Sequence, residues 1–255
     1  MRRVLAIARN TVREVVRERM VLVLALFGVA LVAASQVFSP LAMGEGRKVV
    51  TDFGLAGATV LATMLAIFLG SSLLHKEVDR RTIYAVMSKP IRRSDFLLGK
   101  FAGLWATTAL LLVGMTGIVL AVVTVVYQET PWVVLGALLL TLVELAVVTA
   151  IVVLFSSFTT PALTAFFTVA TVVAGNFAED LHYFGGQGGS AIVAGVTEGA
   201  YWLLPHLALF NARGLVAHGI AVEPERMAFA VAYGALYAAA ALIAAGAIFE
   251  RREFK

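Results

Sequence analysis

The chain has 255 residues, of which 60% are hydrophobic and only 14% are charged. Its mean hydropathy is +0.91, whereas about a quarter of the residues in a soluble domain are charged. The composition therefore excludes an ordinary soluble domain and indicates that lipid is the solvent for much of the surface. The absence of cysteine excludes a disulfide framework, a thiolate metal site and a cysteine nucleophile. The net charge of +4 is informative only through its distribution.

Residues 1–19 predict a basic amphipathic helix, since apolar residues recur at helical spacing and arginines take the other face. The segment is too long and too charged for the n-region of a signal peptide, and the apolar run that follows exceeds a signal h-region. We expect a retained span preceded by an elbow helix at the membrane interface, with arginines near anionic headgroups. A solvated leader to the first span is the alternative.

Apolar runs that could cross the bilayer recur along the chain, because a hydrocarbon core of about 30 Å takes roughly 20 helical residues. Five are clear, and a sixth is shorter and rich in threonine. The predicted spans are about 20–39, 53–74, 101–127, 132–155, 161–178 and 227–249. The sequence thus predicts an all-α integral membrane protein in which residues 1–255 form a single transmembrane domain. Seven glycines within these spans predict close helix packing: Gly54, Gly57, Gly103, Gly114, Gly117, Gly234 and Gly246.

Basic residues divide unequally between the two sides of this topology. Residues 1–19, 75–100 and 250–255 share one side and carry 6, 7 and 3 basic residues, 16 of the chain's 20. The other side holds Arg47, Lys48, Arg213 and Arg226. Because lysine and arginine concentrate in cytoplasmic loops, both termini are predicted to be cytoplasmic.

The loop between the second and third spans, residues 75–100, has a distinctive order of elements. Residues 77–87 can form a short helix, and Pro90 interrupts it because proline lacks an N–H. Ser94 is predicted as the N-cap of the next helix, with Asp95 in its first turn. The loop is predicted to be a stiff cytoplasmic element that transmits force to two spans.

Glu144 is an ionisable residue near the middle of the fourth span, where a charge costs about 2.5–3.5 kcal/mol on insertion scales. Thr141 lies one turn earlier on the same face. In a functional role, Glu144 lines a polar part of a conduit or couples protonation to transport. In a structural role, it is protonated, or hydrogen-bonded across a helix or dimer interface.

The segment between the last two spans, about 179–226, contains two apolar helical stretches, AIVAGVTEGAYWLLP and HLALFNARGLVAHG. Both are too short to cross a bilayer, which predicts re-entrant or interfacial outer helices. They would form an outer gate, a vestibule wall or a simple cap.

The loop and its flanks resemble the corresponding segment of type-2 ABC transporter permeases. The matching residues are Glu77, then Arg81-Thr82-Ile83, Ser88-Lys89-Pro90-Ile91 with Arg92 and Arg93, and Leu98-Gly99-Lys100-Phe101. The terminal FERREFK is similar to the family's basic segment after span six. The resemblance covers nearly the whole chain and includes the subgroup with the nitrous-oxide-reductase maturation and gliding-motility permeases.

The resemblance implies six spans, an elbow helix, short outer helices and a coupling helix that docks on a separate ATPase subunit. The implied docking residues are Glu77, Arg80, Arg81, Thr82, Ile83, Lys89 and Pro90. The implied partners are two copies of an ABC ATPase subunit, a second permease copy or homologue, and membrane lipids, with no nucleic acid. The implied location is the cytoplasmic (inner) membrane of a bacterium or archaeon.

The chain lacks its own nucleotide-binding motif, since Gly99-Lys100 is followed by Phe101 rather than serine or threonine. ATP and Mg²⁺ are therefore expected on the partner ATPase, with no cofactor, metal or catalytic residue in this chain. The four histidines show no zinc-protease spacing. The alternatives are an ATP-independent channel or secondary transporter that uses Glu144, and a membrane scaffold for assembly of a partner protein.

Overall fold

The computed structural model describes residues 2–38, 45–79, 93–129, 131–187 and 191–251, and within these ranges the chain is helical with no strand. The elements are α1 (Arg2–Val16), α2 (Arg19–Phe38), α3 (Gly46–Asp79), α4 (Arg93–Tyr127), α5 (Val134–Ser156), α6 (Pro161–Asn176), α7 (Ala178–Gln187), α8 (Ala191–Leu203), a 3-10 helix (Leu207–Phe210), α9 (Arg213–Ala217) and α10 (Pro224–Arg251). The prediction of an all-α protein is confirmed.

Four of the described helices are long and apolar enough to cross a membrane. They are Gly46–Ser72, Ser94–Tyr127, Val134–Ser156 and Pro224–Phe249. Helix α6 and the apolar part of α2, Val21–Ala34, are shorter. Both lie where spans were predicted, so the helices are present while their passage through the membrane stays a prediction.

Helix α5 forms the centre of the structure and packs against α3, α4, α6 and α10. It has no polar face, and a helix that is apolar all round is stable only when other helices surround it. Val147 and Val148 are fully buried on it, in one cluster with Ile67 of α3 and Ala230 of α10. Helices α4 and α10 are mostly exposed by comparison.

Two helix starts differ from the predicted ones. Helix α4 begins at Arg93, so Ser94 lies within its first turn and is not the N-cap, while Asp95 does lie in that first turn. Helix α3 begins at Gly46, seven residues before the predicted span. Apolar runs mark where a helix crosses hydrocarbon, whereas the helix itself continues into the polar layer.

Four of the seven predicted glycine contacts are present. Side chains occupy the space where a Cβ would stand at Gly54, Gly57, Gly103 and Gly234. Gly114, Gly117 and Gly246 have nothing within 4 Å of that position. These three glycines therefore make no close contact within the described part of the chain, and packing of one such face against a second permease copy stays a prediction.

The segment between α6 and α10 folds into short helices, as its length predicted. Helices α7 and α8 pack together, with the rings of His182 and Tyr201 4.6 Å apart. The 3-10 helix and α9 instead enter the central cluster, where Leu207, Phe210 and Val216 are at most 1% exposed. The second apolar stretch is therefore part of the core.

Candidate functional site

The predicted docking residues fall mostly outside the described part of the chain. Arg80, Arg81, Thr82, Ile83, Lys89 and Pro90 lie between α3 and α4, outside the described ranges. Glu77 lies in the last turn of α3, and its side chain is likewise not described. The structure does describe the helices that this segment joins, and those helices define what a movement of residues 80–92 would displace.

Helix α1 packs directly along the first turns of α4 at two glycines. A Cβ at Gly99 would lie 2.6 Å from the Cβ of Ile7, and one at Gly103 would lie 2.8 Å from the carbonyl oxygen of Ala8. Both distances are shorter than real Cβ contacts. Only glycine therefore lets the backbone of α1 come this close, as in other close-packed membrane helices. Thr11 is fully buried at the contact.

Lys100 is a buried cation in the same contact. Its side chain is 3% exposed and its Nζ lies 3.6 Å from Oε2 of Glu14 on α1. The Nζ also lies 6.0 Å from the ring centroid of Phe96. The Leu98-Gly99-Lys100-Phe101 stretch thus combines a close backbone approach at Gly99 with a charge that attracts α1. Sequence reasoning had placed Lys100 among the loop's basic residues and in the Leu98-Gly99-Lys100-Phe101 motif, without predicting its contact with α1.

Replacing Glu14 by glutamine is expected to destabilise the fold by roughly 1–3 kcal/mol. Removing one partner of a fully buried ion pair costs about 3–5 kcal/mol, and the loss is smaller here because the Glu14 side chain is 37% exposed. Thermal unfolding of the detergent-solubilised chain measures the effect. The exposed Glu223 changed to glutamine is the matched control. A second replacement, Lys100→Met, should recover part of the loss, and an unchanged melting temperature in Glu14→Gln would contradict the assignment.

The start of α4 also packs against the end of α10. The rings of Phe96 and Phe249 stack with centroids 6.3 Å apart, and Leu97, Val153 and Ala245 complete a buried cluster with them. Helix α4 is thus joined near its first turns to α1, α5 and α10. A force applied to residues 80–92 would displace these helices together.

Glu144 and Thr141 lie side by side on α5 with exposures of 8% and 5%. The indole N–H of Trp105 on α4 donates a 3.0 Å hydrogen bond to the carbonyl of Leu142, which fixes α5 two residues before Glu144. Within the described ranges, no basic side chain forms an ion pair with Glu144.

The model of one protein family, described as ABC-2 family transporter protein, matches residues 5–254. The chain belongs to the ABC-2 transporter family. No curated protein matches it. Membership makes the chain a multi-pass membrane component of a transporter, in a family that typically works with an ATPase subunit. Members are generally not catalytic themselves.

The ABC-2 chain also has ion pairs at the end of the bundle opposite the contact between Glu14 and Lys100. Nε of Arg47, at the start of α3, lies 3.2 Å from Oε2 of Glu129, after the end of α4. Lys48 Nζ lies 2.8 Å from Oε2 of Glu45. The hydrogen bond from Lys48 lowers the pKa of the Glu45 carboxyl. The start of α3 and the end of α4 are thus linked by an ion pair as well as by packing.

A hydrogen-bonded cluster that sequence reasoning missed connects α10 with the segment after α8. The Tyr233 hydroxyl accepts a 3.0 Å bond from the backbone N–H of His206 and lies 3.1 Å from its Nδ1. Which of the two groups donates in the second contact depends on the tautomer of the His206 ring. The Tyr237 hydroxyl donates to the carbonyl of Leu203 at 3.0 Å. The sequence feature that could have indicated this cluster is a pair of tyrosines four residues apart on an otherwise apolar helix.

Metal-binding side chains do not come together in the described ranges, where no three His, Cys, Asp or Glu residues form a candidate metal site.

Proposed function

We propose that this chain is the permease subunit of an ABC transporter, driven by ATP hydrolysis on a separate ATPase subunit that docks at residues 77–93. The observation that carries the proposal is the family match over residues 5–254. The joined helices at the start of α4 support it, because they provide a mechanical path from residues 80–92 to α1, α5 and α10. The motif order in residues 77–101 supports the type-2 permease family, which includes the subgroup with the nitrous-oxide-reductase maturation and gliding-motility permeases.

The proposed topology has six spans in one transmembrane domain, with the elbow helix and both termini cytoplasmic. Sixteen of twenty basic residues then lie on the inner side. Two described ion pairs are consistent with this arrangement, because each joins residues proposed for the same side. Glu14 pairs with Lys100 on the inner side, and Arg47 pairs with Glu129 on the outer side. The helices between α6 and α10 then cap the outer side.

In the proposed mechanism two permeases, identical or homologous, work with two ATPase subunits that hold ATP and Mg²⁺. Closure of the ATPase pair pushes residues 80–92. Because α4 is joined to α1 through Gly99, Gly103 and Lys100 and to α10 through Phe96, these helices tilt together. The tilt switches access to a path at the permease interface. The chain contributes movement and no bond-breaking chemistry.

Affinity isolation of the full chain from its native membrane tests the proposal. Co-purification of an ABC ATPase subunit in equal amount is the expected result. A preparation that holds no ATPase and still moves its substrate through vesicle membranes would overturn it. Mass spectrometry of the isolated complex also reports whether one permease or two homologues are present.

A second candidate function, an ATP-independent channel or secondary transporter, is favoured by the burial of Glu144 without an ion pair among the described residues. The two functions differ in the effect of Glu144→Gln, which keeps the shape of the side chain and removes its charge. The permease function predicts that this variant keeps ATPase stimulation within about twofold, because a buried carboxylate away from the docking segment makes no contact with the ATPase. The second function predicts instead that the chain moves its substrate through vesicle membranes without any ATPase, and that Glu144→Gln abolishes this movement at unchanged thermal stability.

A further inference from the structure

A narrow apolar groove of about 260 Å³ runs between α2 and α4. Val21, Ala25 and Val29 form one wall, and Thr107 and Gly114 lie on the other. The Thr107 hydroxyl donates a 2.9 Å hydrogen bond to the carbonyl of Gly103 on its own helix. The hydroxyl is therefore already paired, and Thr107 offers the groove an apolar methyl group. The groove therefore offers no polar partner along its floor and fits hydrocarbon.

The dimensions of the groove match one lipid tail. From Thr107 to Ile118 the wall covers roughly 16 Å of α4 at about 1.5 Å per residue. One leaflet contributes about half of a hydrocarbon core roughly 30 Å thick. The volume of the groove is just below the range of about 300–1,000 Å³ that is typical of pockets for small molecules. A single extended acyl chain of one leaflet fits the length of the groove.

Gly114 keeps the groove open. A Cβ at this position would have nothing within 4 Å, although α4 would gain helix propensity from almost any other residue. Met115, the next residue along, is 3% exposed and closes the floor toward Gly28 of α2. The space beside Gly114 is therefore a notch in the surface of α4.

The mouth of the groove carries positive charge. Val16, the last residue of α1, lines the end of the groove next to Val21. Arg17 follows Val16 directly and Arg13 precedes it by three residues, and both side chains are exposed. The nearby carboxylate of Glu14 is directed to Lys100. An apolar groove that ends beneath exposed arginines is complementary to a molecule with a hydrocarbon tail and an anionic head.

We propose that the groove between α2 and α4 binds one acyl chain of an anionic phospholipid, with Arg13 and Arg17 contacting its phosphate headgroup. With α1 on the inner side, as in the proposed topology, the lipid comes from the cytoplasmic leaflet. The bound chain fills the space between α2 and α4 next to the contact of α1 with α4. Lipid composition would then influence how firmly the elbow helix is held.

Native mass spectrometry of the full chain tests the site by counting lipids retained after detergent exchange. The chain is titrated in separate experiments with phosphatidylglycerol, with phosphatidylcholine of the same acyl chains, and with free palmitate. We expect one retained phosphatidylglycerol and at least fivefold weaker retention of phosphatidylcholine, whereas retention of palmitate in place of phosphatidylglycerol would overturn the phospholipid as the source of the chain. Gly114→Leu fills the groove and should abolish this retained lipid. Gly117→Leu, on the same helix and also facing open space, should keep it.

The headgroup contact is tested by Arg17→Gln, which should weaken phosphatidylglycerol binding about fivefold, the effect of one arginine near anionic lipid. Arg226→Gln removes an exposed arginine at the other end of the bundle and is the charge control. Retention of phosphatidylglycerol by Gly114→Leu at the wild-type level would overturn the site. Equal binding of phosphatidylcholine and phosphatidylglycerol, unchanged in Arg17→Gln, would overturn the anionic headgroup. The lipid count does not involve an ATPase, so failure here is distinct from failure of the permease function.

Discussion

Charge reversal in the docking segment, Glu77→Arg or Arg81→Glu, is expected to weaken binding of the ATPase subunit at least roughly 30-fold. Truncating or reversing one member of a close interfacial charge pair costs about 2–5 kcal/mol. Glu77 lies in the last turn of α3, and Arg81 lies in the segment that joins α3 to α4 and, through α4, to three other helices. The ATPase subunit co-purified from native membranes is titrated against each variant in vesicles, and both its affinity and its hydrolysis rate are measured.

The matched control for this prediction is Arg226→Glu, the same type of reversal before α10 at the proposed outer side. It should leave both the affinity and the rate unchanged. Membrane insertion of all three variants is compared by the amount of full-length chain recovered in the membrane fraction. Normal ATPase binding by both docking variants would remove residues 77 and 81 from the interface.

Gly103→Leu is expected to separate α1 from α4 and to have a large effect on both thermal stability and ATPase stimulation. The new side chain would overlap Thr11 and the carbonyl of Ala8, and overpacking of this kind costs about 1–3 kcal/mol. The overlap involves backbone, so a change of side-chain rotamer cannot relieve it. We expect a lower melting temperature together with loss of ATPase stimulation, because α4 would move without α1.

The control for Gly103→Leu is Gly117→Leu, fourteen residues further along α4 where a Cβ meets open space. The two variants make the same chemical change to one helix. If Gly103→Leu melted at the wild-type temperature and kept full ATPase stimulation, the contact between α1 and α4 would not be part of the transmission path. If Gly117→Leu lowered the melting temperature and ATPase stimulation equally, α4 would be sensitive to any larger side chain and not specifically to its contact with α1.

The positions of the long helices could be predicted because an apolar run long enough for the bilayer has few alternatives to a helix. Their ends were less accurate, as the early start of α3 at Gly46 shows. Polar residues such as Arg47 end the apolar run, yet Thr51 bonds back to the Arg47 carbonyl within a continuing helix. Hydropathy reports the solvent around a helix and not the point where its hydrogen bonds stop.

Contacts between distant segments could not be predicted from spacing. Lys100 appears in the sequence as one more basic residue near a loop, and its burial depends on where α1 packs. The same holds for Gly103 and Gly114, which are alike in sequence but differ because only Gly103 has another helix within 4 Å of the position of a Cβ. The core position of the 3-10 helix and α9 likewise follows from their packing against α3, α5 and α6.

Site-specific cross-linking tests the central proposal most directly, since the chain contains no cysteine of its own. A single cysteine is introduced at Thr82, in the proposed docking segment, or at Glu223, an exposed position before α10. Membranes that contain the native partners are treated with a short bifunctional thiol–amine reagent, and the products are identified by mass spectrometry. The proposal predicts that Thr82→Cys cross-links to an ABC ATPase subunit and that Glu223→Cys does not. An ATPase adduct at position 223 with none at position 82 would contradict it.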